Sequence, residues 1–421
     1  MNELAYIPRH FRKCVKYKNL IKFNDFKDNE KLNQACLSAY KNVQMGCEWS
    51  HSIHTVQIKK KKAYTLKTSE SVLVNNLIIN NISSKYRTKS VDRDTTIRLL
   101  ISHIKDSYAF TVHRLDVKSF YESFDRRSIL NKLKSDAKLS RKTISTLVNL
   151  FHELDDLNVD GLPRGMGLSS TLSELMMNDF DAYIRSINGV LFYCRFVDDI
   201  IILTTHNINK SKLTELIKSS PLPQGLEFHA TGSEKTTYKQ IRKTSEELEK
   251  VETFDFLGYQ FKVNSREAKT GTTLSVGRRL LDVEISDVKI EKIKKRIIKS
   301  FCVFLSSKDS LNERLSILTK RLYFLSKNYP LINSSDNSQV LSGIFFNYKH
   351  ISNPQKISEI DKFYQSLLFG NKSNLSKRIR RNLSYKDRYV LSNISFLDGF
   401  QEKKFCKFSY KDFKDIKKAW V

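Results

Sequence analysis

The sequence predicts an α+β fold, in which helices pack on an antiparallel β-sheet and an α-helical C-terminal domain follows. Short β-rich runs at 110–115 and 190–203 indicate the sheet; the first leads into Asp116, and the second contains an adjacent pair of aspartates. Apolar residues that recur at helical spacing beyond residue 285 indicate the helical end.

The composition is that of a folded, strongly basic protein. Lys and Arg number 73 against 45 Asp and Glu, a formal net charge of +28, while 40% of the residues are hydrophobic and 11% aromatic. A disordered polycation would lack that apolar content. The positive charge lies mostly before residue 110 and after residue 281. This distribution favours a nucleic acid held from two sides over lysine-rich helix faces that are merely solvated.

Other sequence features bear on location. No apolar run approaches the length needed to cross a bilayer, which excludes a membrane protein. The N-terminus lacks a charged-then-apolar signal pattern, and the six cysteines are dispersed without a CxxC pair. We therefore expect a reducing, cytoplasmic location, with neither a disulfide framework nor structural zinc.

The first 60 residues show no regular pattern, and we treat 1–60 as an N-terminal extension. The basic run Lys59–Lys62 leads into 63–80, which predicts a strand followed by a helix. Apolar residues at helical spacing between Ile97 and Ile104 predict a further helix before the β-run that ends at Asp116.

The centre of the chain has a loop, a helix and a hairpin. The Gly- and Pro-containing segment Gly161–Gly165 predicts the entry loop of an amphipathic helix that extends to about Ile184. Two β-runs then flank Asp198 and Asp199, which predicts a β-hairpin with both acids at its tip.

The remaining segments complete the predicted domains. Residues 254–261 predict another strand pair, with Gly258 at its turn or at a bulge. After residue 285 apolar residues form a stripe along one side of a helix and lysines occupy its other sides, which predicts a basic helical region. We expect boundaries near 60 and 280, and hence a central domain over 61–280 and a C-terminal domain over 281–421.

The candidate chemistry lies in Asp116, Asp198 and Asp199, because each ends or caps a β-run. A hairpin tip beside the end of a neighbouring strand brings such carboxylates close together, and cations then have to neutralise them. Oxygen ligands select hard ions, Mg²⁺ or Mn²⁺, and two such ions suit an in-line phosphoryl displacement. Taken singly, each acid also fits a structural role, since Asp-Asp is common in turns and Asp commonly caps helices.

Five segments, in this order, resemble motifs of the reverse transcriptase fingers and palm over residues 60–262. They are LDVKSFYESFD (115–125), GLPRGMGLSS (161–170), FVDD (196–199), LEFHATGSEKT (226–236) and FDFLGYQF (254–261), the last similar to the hairpin that grips the primer. Arg164, the Gly-x-Gly-Leu-Ser-Ser run and the Leu-Ser-Glu that follows are similar to bacterial abortive-infection and defence-associated reverse transcriptases.

The resemblance implies a right-hand polymerase architecture, with fingers and an antiparallel-sheet palm before the helical domain. It implies that Asp116 and Asp198 bind two Mg²⁺ ions, or Mn²⁺, with Asp199 in support and the backbone carbonyl of Val117 beside them. Lys235 would lie near the outgoing pyrophosphate as proton donor or electrostatic clamp. The alternative for Lys235 is a solvated surface lysine.

The resemblance also implies residues that bind the nucleotide and the template. Tyr121 falls where the family places an aromatic gate against a ribose 2′-hydroxyl, and its alternative is a core aromatic. Arg164 would lie near the template base or phosphate, where Gly165 lets the backbone approach, unless Arg164 is only a surface charge at a helix entry. On the fingers the candidates for triphosphate binding are Lys85, Arg87, Arg93 and Arg98, of which we select Arg87 and Arg98. Lys59–Lys62 are expected to contact nucleic-acid backbone, or nothing, rather than the incoming nucleotide.

The C-terminal region resembles the helical regions of the abortive-infection branch more loosely. Its basic cluster Lys377–Arg381 could bind product DNA or a structured RNA by phosphate contact, with nearby aromatics stacking on bases. The aromatics are Phe345, Phe346, Tyr348, Phe363 and Tyr364. Most of them fit a helical core better than a base-stacking role.

Together these patterns predict a cytoplasmic RNA-directed DNA polymerase that adds dNTPs in bacterial defence against phage. The alternatives are a mobile-element reverse transcriptase, of the retron or group II intron kind, and a non-catalytic nucleic-acid scaffold. The expected partners are an RNA template, which could be a dedicated non-coding RNA, and a DNA product. The sequence leaves open the template, nucleic-acid or protein priming, the oligomeric state and any partner protein.

Overall fold

The computed structural model describes residues 3–49, 52–58, 61–88, 91–106, 108–230, 232–242, 251–267, 279–332 and 339–420. The described residues form two compact units, one over 3–242 and the other over 251–267 with 279–420. The sequence placed boundaries near 60 and 280 instead. Two residues of the basic run, Lys59 and Lys60, lie outside the described residues.

The first unit combines helices with two antiparallel sheets. Its described helices are α1 (Pro8–Lys13), α2 (Tyr17–Lys22), α3 (Asn29–Gln44), α4 (Ser69–Lys85), α5 (Arg93–Lys105), α6 (Arg126–Ser135), α7 (Arg141–Asp156), α8 (Gly167–Ser186) and α9 (Lys210–Lys218), with a short 3₁₀ helix at Asn24–Lys27. Its described strands are β1 (Ile53–Ile58), β2 (Lys61–Leu66), β3 (Phe110–Asp116), β4 (Val190–Phe196), β5 (Asp199–Thr204) and β6 (Thr237–Ile241).

A four-stranded sheet in the order β4-β5-β3-β6 positions the candidate site, and all of its pairs are antiparallel. The apolar run Ile200–Leu203 is fully buried in β5, because that strand has neighbours on both edges and side chains packed on both faces. Helices α5 and α8 contact β4. The antiparallel sheet with helices that the sequence predicted is therefore confirmed.

The N-terminal residues are part of the first unit rather than a separate extension. The backbone of Leu4 donates to and accepts from the side-chain amide of Asn81 in α4, at 2.8 and 3.0 Å. The carboxylate of Glu3 accepts from the backbone N–H of Ser140 at 2.6 Å, where Ser140 caps α7. These bonds satisfy helix and loop groups that would otherwise lack partners.

The second unit is mainly helical, as predicted. Its described helices are α10 (Asp287–Ser306), α11 (Leu311–Ser326), α12 (Ile344–Tyr348), α13 (Gln355–Phe369), α14 (Asn374–Asn382), α15 (Tyr385–Ser392), α16 (Phe396–Gln401) and α17 (Tyr410–Lys418). Its described strands are β7 (Val251–Phe256), β8 (Tyr259–Glu267), β9 (Arg279–Ile285), β10 (Asn328–Ile332) and β11 (Gln339–Gly343).

The core of the second unit contains the predicted stripe of α10, in which Ile297 and Phe301 are fully buried. Tyr364 is fully buried too, and Phe363 packs against this core, which agrees with a core role for these aromatics. The predicted strand pair at 254–261 is the β7-β8 hairpin, whose two-residue turn has positive φ at Leu257 and Gly258. Across the described residues, the helices lack the combination of length and hydrophobicity that a bilayer span requires.

Candidate active site

Two neighbouring strands bring two of the candidate carboxylates face to face. Asp116 is the last residue of β3 and Asp199 the first of β5, and the antiparallel register pairs them directly. Directly opposed residues of an antiparallel pair project from the same face of the sheet. Asp116 is buried and Asp199 partly buried, so both lie at one partly enclosed edge.

The third carboxylate lies in the turn between β4 and β5. The turn residues are Val197 and Asp198, and Val197 has a φ of 61°. A positive φ costs a non-glycine residue roughly 1–2 kcal/mol, so the surrounding contacts hold this turn in place. The backbone N–H of Val117 donates to the carbonyl of Asp198 at 3.2 Å, which ties the turn to the end of β3. The sequence placed both acids at the hairpin tip, whereas Asp199 belongs to β5.

The three carboxylates have different electrostatic surroundings. Burial raises the pKa of Asp198, as do the nearby charges of Asp199 and Asp116, while Lys235 acts in the opposite direction. Oδ1 of Asp116 accepts from Nζ of Lys235 at 2.8 Å and lies 3.1 Å from Nε2 of His229. These contacts place Lys235 at the carboxylates.

Asp199 has a cation of its own. Nη2 of Arg114 donates to Oδ1 of Asp199 at 3.1 Å, and the two side chains are 18% and 26% exposed. Sequence reasoning missed both Arg114 and His229. Arg114 lies two residues before Asp116 on the same strand, so strand alternation places both side chains on one face. His229 lies in the segment that carries Lys235, and that proximity in sequence was its only signal.

The donor set has the chemistry of a hard-cation site. The candidate ligands are the carboxylates of Asp116, Asp198 and Asp199 and the carbonyl of Val117, and Mg²⁺ and Mn²⁺ prefer oxygen donors. The crowding that raises the pKa of Asp198 is what a bound cation would relieve. Within the part of the chain that the structure describes, no three His, Cys, Asp or Glu side chains converge as ligands of a metal ion. Asp116 and Asp199 instead contact protein cations.

Tyr121 lies in a loop after β3, with its ring held on several sides. Phe120 packs edge-on at 5.3 Å between ring centroids, and the guanidinium of Arg164 lies 5.5 Å from the ring centroid of Tyr121. Burial raises the pKa of the Tyr121 hydroxyl, and its hydrogen bond with Ser170 acts in the opposite direction. The ring is partly buried, which fits both a core aromatic and a gate.

Arg164 is fixed beside that ring by an acidic partner. Its Nε and Nη2 donate to the two carboxylate oxygens of Glu122 at 2.9 and 3.0 Å. Arg164 and Glu122 line a cavity of about 420 Å³ together with Lys61, Lys62, Tyr64, Ser119, Asn158, Val159, Asp160 and Leu162. Arg164 is therefore a paired side chain of a cavity wall rather than a free surface charge.

Gly165 permits a close backbone contact. Its φ is +97°, and a Cβ added to it would lie 2.9 Å from the carbonyl oxygen of Tyr64. The N–H of Tyr64 donates to the carbonyl of Arg164 at 2.7 Å. A side chain at position 165 would push β2 away from this loop, so glycine is required there.

The finger residues Arg87 and Arg98 are both exposed. Arg98 lies on α5, and the carbonyl of Arg87 accepts from the side-chain amide of Asn178 at 2.8 Å. Among the described residues, neither side chain contacts the three carboxylates. Lys61 and Lys62, which the sequence assigned to nucleic-acid backbone, line the cavity beside Arg164.

A family model described as reverse transcriptase (RNA-dependent DNA polymerase) matches residues 20–261, more than half of the chain. The chain belongs to the reverse transcriptase family. This membership agrees with the resemblance carried by the five sequence motifs, and the abortive-infection branch stays a prediction. No curated protein matches the sequence.

Solved structures similar to this reverse transcriptase include two telomerases. One is apo telomerase from Candida tropicalis truncated from its C-terminal domain, with a TM-score of 0.33 and 15% identity, covering 62% of this chain and 49% of that one. The other is telomerase from Candida albicans in complex with a TWJ fragment of telomeric RNA, with a TM-score of 0.32 and 11% identity, covering 81% and 63%. The chain thus spans less than two thirds of either protein.

Proposed function

We propose that this reverse transcriptase adds dNTPs to a growing DNA end under the direction of an RNA template. The observation that carries the proposal is the placement of Asp116, Asp198 and Asp199 at one edge of an antiparallel sheet, with the turn tied to β3 through Val117. Like charges gathered at a partly enclosed edge are costly for a protein that does not use them. A non-catalytic scaffold has no need of that arrangement.

The oxygen donors suit two divalent ions of the Mg²⁺ type, held by Asp116 and Asp198 with Asp199 and the Val117 carbonyl in support. Such ions would activate the attacking oxygen and stabilise the leaving group of an in-line displacement. Lys235 supports the same chemistry from the protein side. Its ammonium, which contacts Asp116, would supply positive charge or a proton to the departing pyrophosphate.

The partly buried ring of Tyr121 supports its assignment as the sugar gate. A ring held by Phe120 and Arg164 has little freedom to move aside for a 2′-hydroxyl. The cavity wall formed by Arg164, Lys61 and Lys62 supports contact with template or nucleotide phosphates, although Glu122 neutralises part of its charge. We assign Arg87 and Arg98 to triphosphate binding on resemblance alone.

The helical unit supports contact with nucleic acid through its surface. In α14, Lys377, Arg378, Arg380 and Arg381 are all exposed, while Ile379 is buried. The adjacent helix α15 exposes Tyr385 and Tyr389, whose rings stack with centroids 6.4 Å apart. Exposed basic and aromatic side chains together suit phosphate contact and base stacking. The aromatics at 345–364 that the sequence suggested for this role are more buried than Tyr385 and Tyr389.

Replacing both Asp198 and Asp199 by Ala tests the polymerase assignment. We expect dNTP incorporation on a primed RNA template to disappear, while the circular dichroism spectrum and RNA binding remain. The matched control replaces the exposed residues Asp25 and Asp106 of the same unit by Ala, which removes the same charge from the protein. Persistent synthesis in the Asp198/Asp199 variant would overturn the assignment of the carboxylates.

We further propose that the DNA synthesis serves bacterial defence against phage, in the cytoplasm. The support is the similarity of Arg164 and the Gly-Leu-Ser-Ser and Leu-Ser-Glu runs to that branch. Plating phages on bacteria that carry the native locus tests it, with the Asp198/Asp199 variant beside the wild type. Equal plating efficiency for both would reject a defence role that depends on synthesis. Sequencing the bound RNA and the product DNA would identify template and primer.

A further inference from the structure

A buried ion network lies behind the turn that carries Asp198. Glu174 and Asp181 are seven residues apart on α8, so they lie on one helix face, and Arg195 is on β4. The side chains of Arg195, Glu174 and Asp181 are 3%, 9% and 10% exposed. Burying one cation with two anions is costly unless the geometry is complete.

Here the geometry is complete, because every N–H of the Arg195 guanidinium has an acceptor. Nε and Nη2 donate to the two oxygens of Asp181, each at 2.9 Å, and Nη1 and Nη2 donate to the two oxygens of Glu174 at 3.0 and 2.8 Å. The fifth bond runs from Nη1 to the carbonyl of Val197 at 3.2 Å. A guanidinium has five N–H groups in a fixed fork, and all five are used.

The fifth bond reaches the strained residue of the hairpin turn. Val197 has positive φ, and its carbonyl belongs to the peptide that leads into Asp198. On the other side of the turn, the carbonyl of Asp198 accepts from the N–H of Val117. The turn is therefore held at two successive carbonyls, one by Arg195 and one by the end of β3.

We propose that Arg195 is a positioning residue, oriented by Glu174 and Asp181, which holds the Val197–Asp198 turn so that the Asp198 carboxylate faces Asp116. Its consequence for catalysis rests on the proposed polymerase function, whereas its effect on the turn does not. A purely structural role, the neutralisation of two buried carboxylates, needs only a positive charge. The positioning role needs the five N–H donors of the planar guanidinium.

The discriminating substitutions are Arg195→Lys and Glu174→Gln. Lysine keeps the charge but offers three donors from one nitrogen, so it cannot serve Glu174, Asp181 and the Val197 carbonyl together. Glutamine at 174 replaces an acceptor oxygen by an NH₂ that opposes the guanidinium. The matched control is Asp361→Asn in the second unit, where the carboxylate accepts from the backbone N–H groups of Phe396 and Leu397 at 2.7 and 2.9 Å.

The first measurement is amide hydrogen exchange of the peptide containing Val117, in EDTA and without nucleotide. We expect roughly 10-fold faster exchange of the Val117 amide in both test variants and no change in Asp361→Asn. The second is steady-state incorporation, where we expect kcat to fall about 10-fold and KM for dNTP to change by less than about twofold.

The outcomes separate the two ideas. Wild-type protection and kcat in Arg195→Lys would show that charge alone suffices and would overturn the positioning role. A fall in kcat without faster exchange would overturn it too. If Arg195→Lys does not fold, Glu174→Gln carries the same comparison. If the wild type makes no DNA, the polymerase proposal fails, and the exchange measurement still decides the role of Arg195.

Discussion

Replacing Asp198 by Asn should inactivate the enzyme and stabilise the metal-free protein. Asparagine keeps the size of the side chain and removes its charge. Burial, Asp199 and Asp116 all disfavour the charged form of Asp198, which is why its pKa is raised. The folded protein thus bears a cost for that charge that the unfolded chain does not, and the substitution removes the cost.

The expected gain is modest because Asp198 is partly exposed and Lys235 offsets part of the repulsion. Two unit charges about 4 Å apart repel by about 1 kcal/mol in a water-like environment, which sets the scale of the gain. For a domain of this size, about 1 kcal/mol corresponds to an increase in Tm of about 2–4 °C.

The gain should depend on pH with a defined sign. A carboxylate whose pKa is raised on folding favours the folded state below its unfolded pKa, about 3.9 for Asp, and loses that contribution as pH rises through the folded pKa. The Tm difference between Asp198→Asn and wild type should therefore grow as pH rises from 4 and level off above the folded pKa. Differential scanning fluorimetry in EDTA between pH 4 and 8 measures it.

The neighbouring residue provides the control, because the same substitution there should have the opposite sign. Asp199→Asn removes the partner of Arg114, an ion pair with both side chains mostly buried, and should lower Tm by a few degrees. A lower Tm for Asp198→Asn at pH 7, or a rise of equal size in both variants, would refute the account of crowded charge at Asp198. Retained DNA synthesis in Asp198→Asn would refute its catalytic role.

Three further outcomes are expected. Replacing Tyr121 by Ala should raise rNTP relative to dNTP incorporation by ~10-fold or more, measured as kcat/KM for each sugar, and unchanged selectivity would remove Tyr121 as the gate. Replacing Gly161 by Ala should lower Tm more than Gly46→Ala, although Gly46 has the larger positive φ (+107° against +52°), because a Cβ at 161 would lie 2.4 Å from a backbone oxygen and a Cβ at 46 would meet no atom within 4 Å; an equal or larger loss for Gly46→Ala would contradict this reasoning. Iodoacetamide at pH 7.5 should modify the exposed Cys302 well before Cys47, because burial raises the pKa of the Cys47 thiol to about 12. Peptide mass spectrometry measures the order of modification, and the reverse order would contradict the described burial.

The sequence was sufficient for the parts of the site that local patterns encode. Two largely apolar β-runs flanked the Asp198-Asp199 pair, so the hairpin was predictable, and the β-run before Asp116 indicated the neighbouring strand. The turn itself lies one residue earlier than predicted, at Val197 and Asp198. A valine at positive φ carries no turn signal, because tertiary contacts rather than its own preference impose that conformation.

Long-range pairings were beyond the sequence. The sequence pattern indicates only that Arg195 lies on a strand and Glu174 on a helix. Their contact depends on how that helix packs on the sheet. The boundary predicted near 280 differs from the division of the chain for a similar reason. Strand β9 pairs with β8, and this pairing joins residues on both sides of 268–278 into one sheet of the second unit. The hydrophobic pattern does not reveal such pairing.

Helix α8 connects the cavity beside Arg164 with the turn that carries Asp198. Its entry loop holds Arg164 at the cavity wall, Ser170 in its first turn bonds to Tyr121, and Glu174 one turn later orients Arg195. An α-helix transmits a displacement along its axis with little loss, since its hydrogen bonds and packed side chains resist compression. A displacement of the entry loop would therefore also load the turn beneath Asp198. If the cavity binds a nucleotide, as proposed, its occupancy and the alignment of the carboxylates would be coupled, and a poorly fitting nucleotide would be penalised in the rate of reaction as well as in binding.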